Sequence, residues 1–145
     1  MMTVNDILRH KGSEVFTIDP ATAVGAAMRQ LVECGVGALV VTDAADRHIA
    51  GIISERDIVR LLAGRGPAAM QDTVSEVMTR RVVTCNRHDT VAEIMERMTR
   101  GKFRHVPVVD YGRLVGIVSI GDAVKARLSQ LEHEHHAMRE YIATA

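Results

Sequence analysis

One phrase occurs twice in this chain, and the distance between the copies restricts the folds open to it. Gly51-Ile-Ile-Ser-Glu-Arg-Asp57 returns as Gly116-Ile-Val-Ser-Ile-Gly-Asp122, 65 residues later. In each copy a β-branched run ends at Ser-x-x-Asp and a helical pattern begins. A chain of 145 residues is either one compact domain or two half-size units that share a core, because units of this length bury too little surface alone. Two copies of this period are too few and too long for most solenoids.

The repeat extends to both sides of the phrase. Thr3–Leu8 matches Thr73–Met78 at an offset of 70, each reading as a short helix with Thr followed three residues later by an acid. Val15–Ile18 matches Val82–Cys85 at an offset of 67, each a short strand. Helices follow over Thr22–Glu33, with Val24, Ala27, Met28 and Leu31 on one face, and over Thr90–Arg100, with Val91, Ile94, Met95 and Met98. Thr90 and Glu93 form a capping box. Next come strands at Ala38–Asp43 and His105–Asp110, and polar turns at Ala44–Arg47 and Tyr111–Gly112. A second strand then enters each corner, and a last helix starts at Ser54 or Ser119.

The fold class is therefore α/β (α+β), with units at 1–66 and 67–130 and a helical extension at 131–145. Gly64–Ala68 reads as the linker. Two βαββα units facing each other across a pseudo-two-fold axis would bury their sheets and leave clefts where equivalent strands meet. Such clefts suit small ligands.

Each corner has a structural and a chemical reading. Ser-x-x-Asp is a good helix N-cap, with the acid favoured by the helix dipole. The same junction offers unpaired amides and a hydroxyl to an anion, and Asp57 or Asp122 offers two acceptor oxygens suited to ribose hydroxyls. The surroundings differ. Arg56 and Arg60 follow the first corner, Gly121 and Lys125 the second, and Lys102, Arg104 and His105 replace Gly35, Gly37 and Ala38 of the first copy. If the units face each other, the Lys102–His105 cluster would lie near the first corner and supply phosphate charge, so two unequal sites are expected.

Several function classes find no support. Eighteen basic residues balance eighteen acidic ones and there is no Trp, which argues against nucleic acid or an anionic membrane as partner. The apolar run at 36–41 is far shorter than the roughly 20 residues that span a bilayer. The N-terminus has no secretory pattern, and Cys34 and Cys85 lack metal or redox spacing; both fit a reducing cytoplasm. His133-Glu-His-His136 has no i, i+4 histidine pair, so no metal is expected. No nucleophile–base motif is present, so no catalysis is expected. Val124, Leu128, Leu131, His135, Met138 and Ile142 form a short seam on the last helix that suits packing on a second subunit or on the chain's own body.

The twin Gly-Ile-x-Ser-x-x-Asp corners and Arg104-His-Val-Pro-Val-Val-Asp110 resemble the cystathionine-β-synthase (CBS) domain pair, or Bateman module, over Thr3–Leu128. The resemblance implies a pseudo-symmetric pair of βαββα units binding adenosine-containing ligands: AMP, ADP, ATP, NAD or S-adenosylmethionine. It implies that Asp57 and Asp122 hold ribose hydroxyls, with Ser54 and Ser119 near ribose or phosphate. Thr17, Ile18, Thr84 and Cys85 would contact adenine. Arg104 and His105 would face phosphate, and Arg56, Lys102 and Pro107 complete the expected ligand-binding residues. The first copy departs from the pattern, having Gly37-Ala38-Leu39-Val40 where the second has Arg-His-Val-Pro. The expectation is a stand-alone cytoplasmic regulator and homodimer that needs no cofactor beyond its adenine nucleotide ligand and signals to an unidentified protein partner. The rival is an interaction module with empty clefts that acts through its last helix and dimer surface.

Overall fold

The computed structural model describes residues 1–43 and 48–144; the expected turn at Ala44–Arg47 lies outside them. Six α-helices and five strands run in the order α1 (Val4–Lys11), β1 (Thr17–Ile18), α2 (Val24–Cys34), β2 (Ala38–Thr42), β3 (Ile49–Ser54), α3 (Glu55–Arg65), α4 (Val74–Val77), α5 (Val91–Gly101), β4 (His105–Asp110), β5 (Arg113–Ser119) and α6 (Ile120–Thr144) among the described residues. No described helix is long and apolar enough to cross a membrane.

Two compact units emerge, and neither is continuous in sequence. One comprises Glu14–Val83 with Val109–Val115, and is called the first unit because it holds the first corner. The second comprises Met1–Ser13, Thr84–Val108 and Gly116–Ala145. The leading helix α1 thus belongs with the second corner, whereas α4, its counterpart in the repeat, belongs with the first.

In the first unit the sheet order is β1-β2-β3, with β1 parallel and β3 antiparallel to β2. All five residues of β2 are buried, as expected for the central strand of a covered sheet. Val24, Ala27 and Leu31 of α2, spaced for one helical face, close over Leu39, Val41 and Ile53, and Val74 and Met78 complete this core. Fully burying side chains such as Leu39 and Ile53 contributes about 1.5–3 kcal/mol each. The α2 helix starts two residues later than expected: Ala23 provides no side-chain cap, and the Val24 N–H donates instead to the Asp72 carbonyl at 2.8 Å. The expected linker is ordered backbone, with Gly66 ending α3 at φ 77° and Pro67–Gln71 forming a 3₁₀ turn.

In the second unit Val91, Ile94 and Met98 of α5 are buried, as are Val4, Ile7 and Leu8 of α1 and Ala123 and Ala126 of α6. Strands β4 and β5 are joined by the turn Tyr111–Gly112, which lies in the Val109–Val115 segment of the first unit, and both turn residues have positive φ (51° and 77°), the backbone hand that tight hairpins need. Val4 N donates to the Asp89 carbonyl at 2.9 Å and Val91 N to the Met2 carbonyl at 3.0 Å, which fixes the chain's start to the start of α5.

Three local expectations require correction. Val82–Cys85 is not a strand; only Cys85 pairs, in an isolated parallel bridge to Val108. In the first unit the Val40 N–H extends the ladder by donating to Phe16. The matching position in the second copy is Pro107, which has no N–H, so the ladder stops after one bridge. The Thr73 hydroxyl bonds the Ser75 hydroxyl at 3.0 Å and does not cap α4. Thr90 accepts from the Glu93 amide at 3.1 Å, half of the expected box.

Candidate functional site

At both corners a strand ends on Ser and a helix begins, and the cap is reciprocal. Ser54 N donates to Asp57 Oδ2 at 2.9 Å, while Asp57 N donates to the Ser54 hydroxyl at 3.2 Å. At the second corner the matching distances are 2.9 Å for Ser119 N to Asp122 Oδ2 and 3.1 Å for Asp122 N to Ser119 Oγ. This is the capping box in its Ser/Asp form.

The expected anion cradle of free amides is not what the fold provides. Glu55 N, the first helical amide of α3, donates to the Gly37 carbonyl at 3.0 Å, and Ile120 N, the first of α6, to the Arg104 carbonyl at 2.8 Å. With the third amide on the Ser hydroxyl, two of the donors exposed by an ordinary helix start are already bonded at each corner. What remains is carboxylate capacity. Each Asp uses Oδ2 for its cap, and an ionised carboxylate has about four lone-pair sites.

The second carboxylate also carries a counter-ion. Lys11 Nζ, at the end of α1, lies 2.7 Å from Asp122 Oδ2 and 2.9 Å from the Ile117 carbonyl. Burial pushes the Asp122 carboxyl up. The Lys11 hydrogen bond, the Ser119 amide and the Lys11 charge outweigh that and hold it below the ordinary carboxylate value. At the first corner the neighbour of Asp57 is neutral: the Thr79 hydroxyl reaches Oδ1 at 3.5 Å. Sequence reading missed both Lys11 and Thr79. The repeat carried no signal for them, since the offset of 70 that aligns Leu8 with Met78 sets Thr79 opposite Arg9 and Lys11 opposite Arg81.

The other candidates divide between the units. In the first unit Thr17 and Ile18 form β1, opposite Val40 and Val41 of β2, and Ser54 stands opposite Ala38 on the far side of the same strand. Thr17 and the corner are thus two strand spacings apart across the sheet and two residues apart along β2, roughly 12 Å in all. The Thr17 carbonyl accepts from Gln30 Nε2 at 3.2 Å, and Ile18 is buried. Arg56 is exposed on α3, one residue before Asp57.

In the second unit the segment 104–107 touches both other candidate groups through its backbone. The Pro107 carbonyl accepts from Cys85 N at 3.0 Å, and the Arg104 carbonyl serves the corner as described. Thr84 is exposed and Pro107 and Cys85 are buried. Burial pushes the Cys85 thiol up to about 12, with the Asp89 charge adding and Arg97 opposing, so Cys85 presents apolar surface and not a thiolate. Lys102 ends α5 in the left-handed conformation at φ 58°, where the first copy has Gly35 at φ 66°. Arg104 is exposed and His105 half-buried. Among the described residues no cluster of His, Cys, Asp and Glu is arranged to hold a metal.

Comparison with known proteins agrees with this arrangement. The CBS domain family model matches residues 3–64 and 74–129. CBS domain-containing protein CBSX3, mitochondrial, from Arabidopsis thaliana is 31% identical over 97% of this chain and 71% of its own length. CBSCBSPB2 of the same plant is 30% identical over 83% of the chain, but the chain spans only 22% of that longer protein. Among solved structures, the CBS-domain containing protein ATU1752 from Agrobacterium tumefaciens is 49% identical with a TM-score of 0.83, covering 86% of this chain and 92% of that one. The CBS domain pair of protein MJ0100, solved in complex with 5′-methylthioadenosine and S-adenosyl-L-methionine, is 28% identical with a TM-score of 0.78, covering 90% and 98%. With both copies of the repeat matched, the chain belongs to the CBS domain family and carries a pair of such domains.

Proposed function

We propose that this CBS pair is a non-catalytic sensor that binds adenosine-containing ligands at its two corners and signals to a separate protein. The observation that carries this reading is the twin corner, where Asp57 and Asp122 are each held by a reciprocal cap with carboxylate capacity to spare. A carboxylate oriented in this way suits the paired hydroxyls of a ribose. The MJ0100 pair, of the same fold, was solved with two adenosine-containing ligands.

In this reading Thr17–Ile18 and Thr84–Cys85 offer adenine a backbone edge and an aliphatic surface. The span from β1 to the first corner is comparable to that of a nucleoside. Ser54 and Ser119 adjoin the ribose. Arg56 in the first unit and Lys102, Arg104 and His105 in the second supply phosphate charge, with Pro107 in the strand that His105 begins. AMP, ADP, ATP, NAD and S-adenosylmethionine all carry the group that this arrangement recognises. Leu128, Leu131, Met138 and Ile142 are exposed on α6, which supports a homodimer. Two free cysteines support a reducing compartment such as the cytoplasm.

A ligand transmits a signal only if it binds one arrangement of the protein more tightly than another. Calorimetry with AMP, ADP, ATP, NAD and S-adenosylmethionine tests the reading, and the expected result is saturable binding of at least one. No heat from any of them at millimolar concentration would overturn it. A second reading, an interaction module acting through α6 without a ligand, draws on the same exposed stripe. It predicts that removing residues 131–145 abolishes partner capture whether or not nucleotide is present.

A further inference from the structure

The two corners differ in one donor group. At the first, the Thr79 N–H donates to the Ile52 carbonyl at 2.9 Å and the Thr79 hydroxyl reaches Asp57. At the second, a single ammonium performs both tasks: Lys11 Nζ donates to the Ile117 carbonyl and to Asp122. Ile52 and Ile117 are the same position of the repeated phrase, so Thr79 and Lys11 reach the same carbonyl and the same carboxylate of the two copies. Duplication has therefore placed neutral donors on one carboxylate and a cation on the other.

The charge consequence is direct. Among the described residues no ion pair reaches Asp57, and the basic residues nearest it in sequence, Arg56 and Arg60, lie on its own helix α3. Asp122 is already matched. The side chains of Lys11 and Asp122 are 30% and 24% exposed, open enough for a ligand yet partly shielded from water, which strengthens the effect of the charge. An ammonium has three donors. Two of those on Lys11 are used, which leaves one for an incoming oxyanion.

Resting on the ligand reading above, we propose that Lys11 makes the second corner selective for anionic, phosphate-bearing adenosine ligands, a device that the first corner, with the Thr79 hydroxyl on its carboxylate, does not share. A neutral nucleoside gains nothing from the ammonium. A nucleotide gains a charge-assisted hydrogen bond.

Silencing one corner at a time isolates the other. Asp57→Ala leaves the second corner and Asp122→Ala the first; the Asn variants, which keep a capping acceptor, replace them if the Ala proteins unfold. Calorimetry with AMP and adenosine then reads the affinity ratio at each corner. At the second corner AMP is expected to bind about five- to tenfold more tightly than adenosine, the scale of one partly screened charge contact. The ratio should fall toward one in Lys11→Met and in high salt, and persist in Lys11→Arg. At the first corner the ratio should not change in Lys11→Met. An unchanged ratio in Lys11→Met overturns the assignment of Lys11 while leaving the ligand reading intact. Failure of AMP and adenosine to bind the unmodified protein would instead count against both.

Discussion

Gly51 lies against the carbonyl of Thr79: a Cβ on Gly51 would stand 2.7 Å from that oxygen and 2.6 Å from the Met78 sulfur. The repeated phrase therefore opens with glycine for a packing reason. The missing side chain lets Thr79 bridge to Ile52, with N···O distances of 2.9 and 3.0 Å, and brings the Thr79 hydroxyl to Asp57. Gly116 plays the corresponding part beneath Leu8, whose Cδ2 would be 2.8 Å from an added Cβ. One neighbour is backbone and the other is the end of a flexible side chain. Gly51→Ala should accordingly cost more stability than Gly116→Ala, the first reaching the upper part of the ~1–3 kcal/mol typical of overpacking. Urea unfolding of the two variants checks the order, and equal losses would contradict it.

Asp57 serves the cap and, in the proposed reading, a ribose, and two substitutions separate these tasks. Asp57→Ala removes the acceptor of the Ser54 amide and should cost about 0.5–2 kcal/mol without any ligand, as lost caps do. Asp57→Asn keeps an acceptor and should recover most of that stability. Both should weaken ligand binding at the first corner, because the charge-assisted bond, worth ~1.5–3 kcal/mol, is gone in each. Thermal melts without nucleotide, set beside calorimetry with it, distinguish the outcomes. Full ligand affinity in the Asn variant would mean that the carboxylate only caps.

Lys11 and Asp122 make stability depend on pH with a definite sign. The Asp122 carboxyl titrates below its unfolded value, so its contribution is present above the unfolded pKa of about 3.9. It is lost as pH falls through the lower folded value. Lys11→Met should therefore be less stable than the unmodified protein near neutrality, by the upper end of the ~0.2–1 kcal/mol of solvent-touched pairs. The gap should close at pH values below the folded pKa. Denaturant unfolding from pH 7 to pH 3 measures it. A gap that persists undiminished at the acid end would assign the loss to packing of the lysine stem.

The two thiols should respond unequally to alkylation. Cys34 is half-exposed at the end of α2, while Cys85 is buried with its thiol pushed up to about 12. At pH 8 the thiolate fraction of Cys85 would be on the order of one in ten thousand, and the thiolate is the reacting species. Iodoacetamide followed by peptide mass mapping should label Cys34 in the native protein and Cys85 only after unfolding. Rapid native labelling of Cys85 would show that β4 opens away from it.

Much of the candidate site was legible because its signals are local. A Ser three residues before an Asp at a strand end specifies a cap whatever lies elsewhere in the chain, and both corners formed it. The Thr3–Asp6 box formed for the same reason, with Thr3 N on Asp6 Oδ2 at 2.9 Å. The same pattern failed at Thr73, where Ser75 competes for the hydroxyl. The strand expected at Val82–Cys85 failed for a non-local reason: its β-branched run was suitable, but the partner it needed was Pro107. The free helix-start amides were misjudged too, since no sequence pattern reveals that Gly37 and Arg104 turn their carbonyls toward them.

By itself the sequence determined the duplication, the helices that bury Val91, Ile94 and Met98 or Val24, Ala27 and Leu31, and the caps that end each phrase. These depend on side-chain spacing and on bonds within one helical turn, which act wherever the segment lies. The tertiary structure alone decided which leading segment serves which corner. Helix α1 buries Leu8 against Gly116 and delivers Lys11 to Asp122, while the segment after α4 lays Thr79 beside Asp57. That choice follows from burial of apolar faces between segments distant in sequence, and it gave two nearly identical phrases carboxylates of different charge balance.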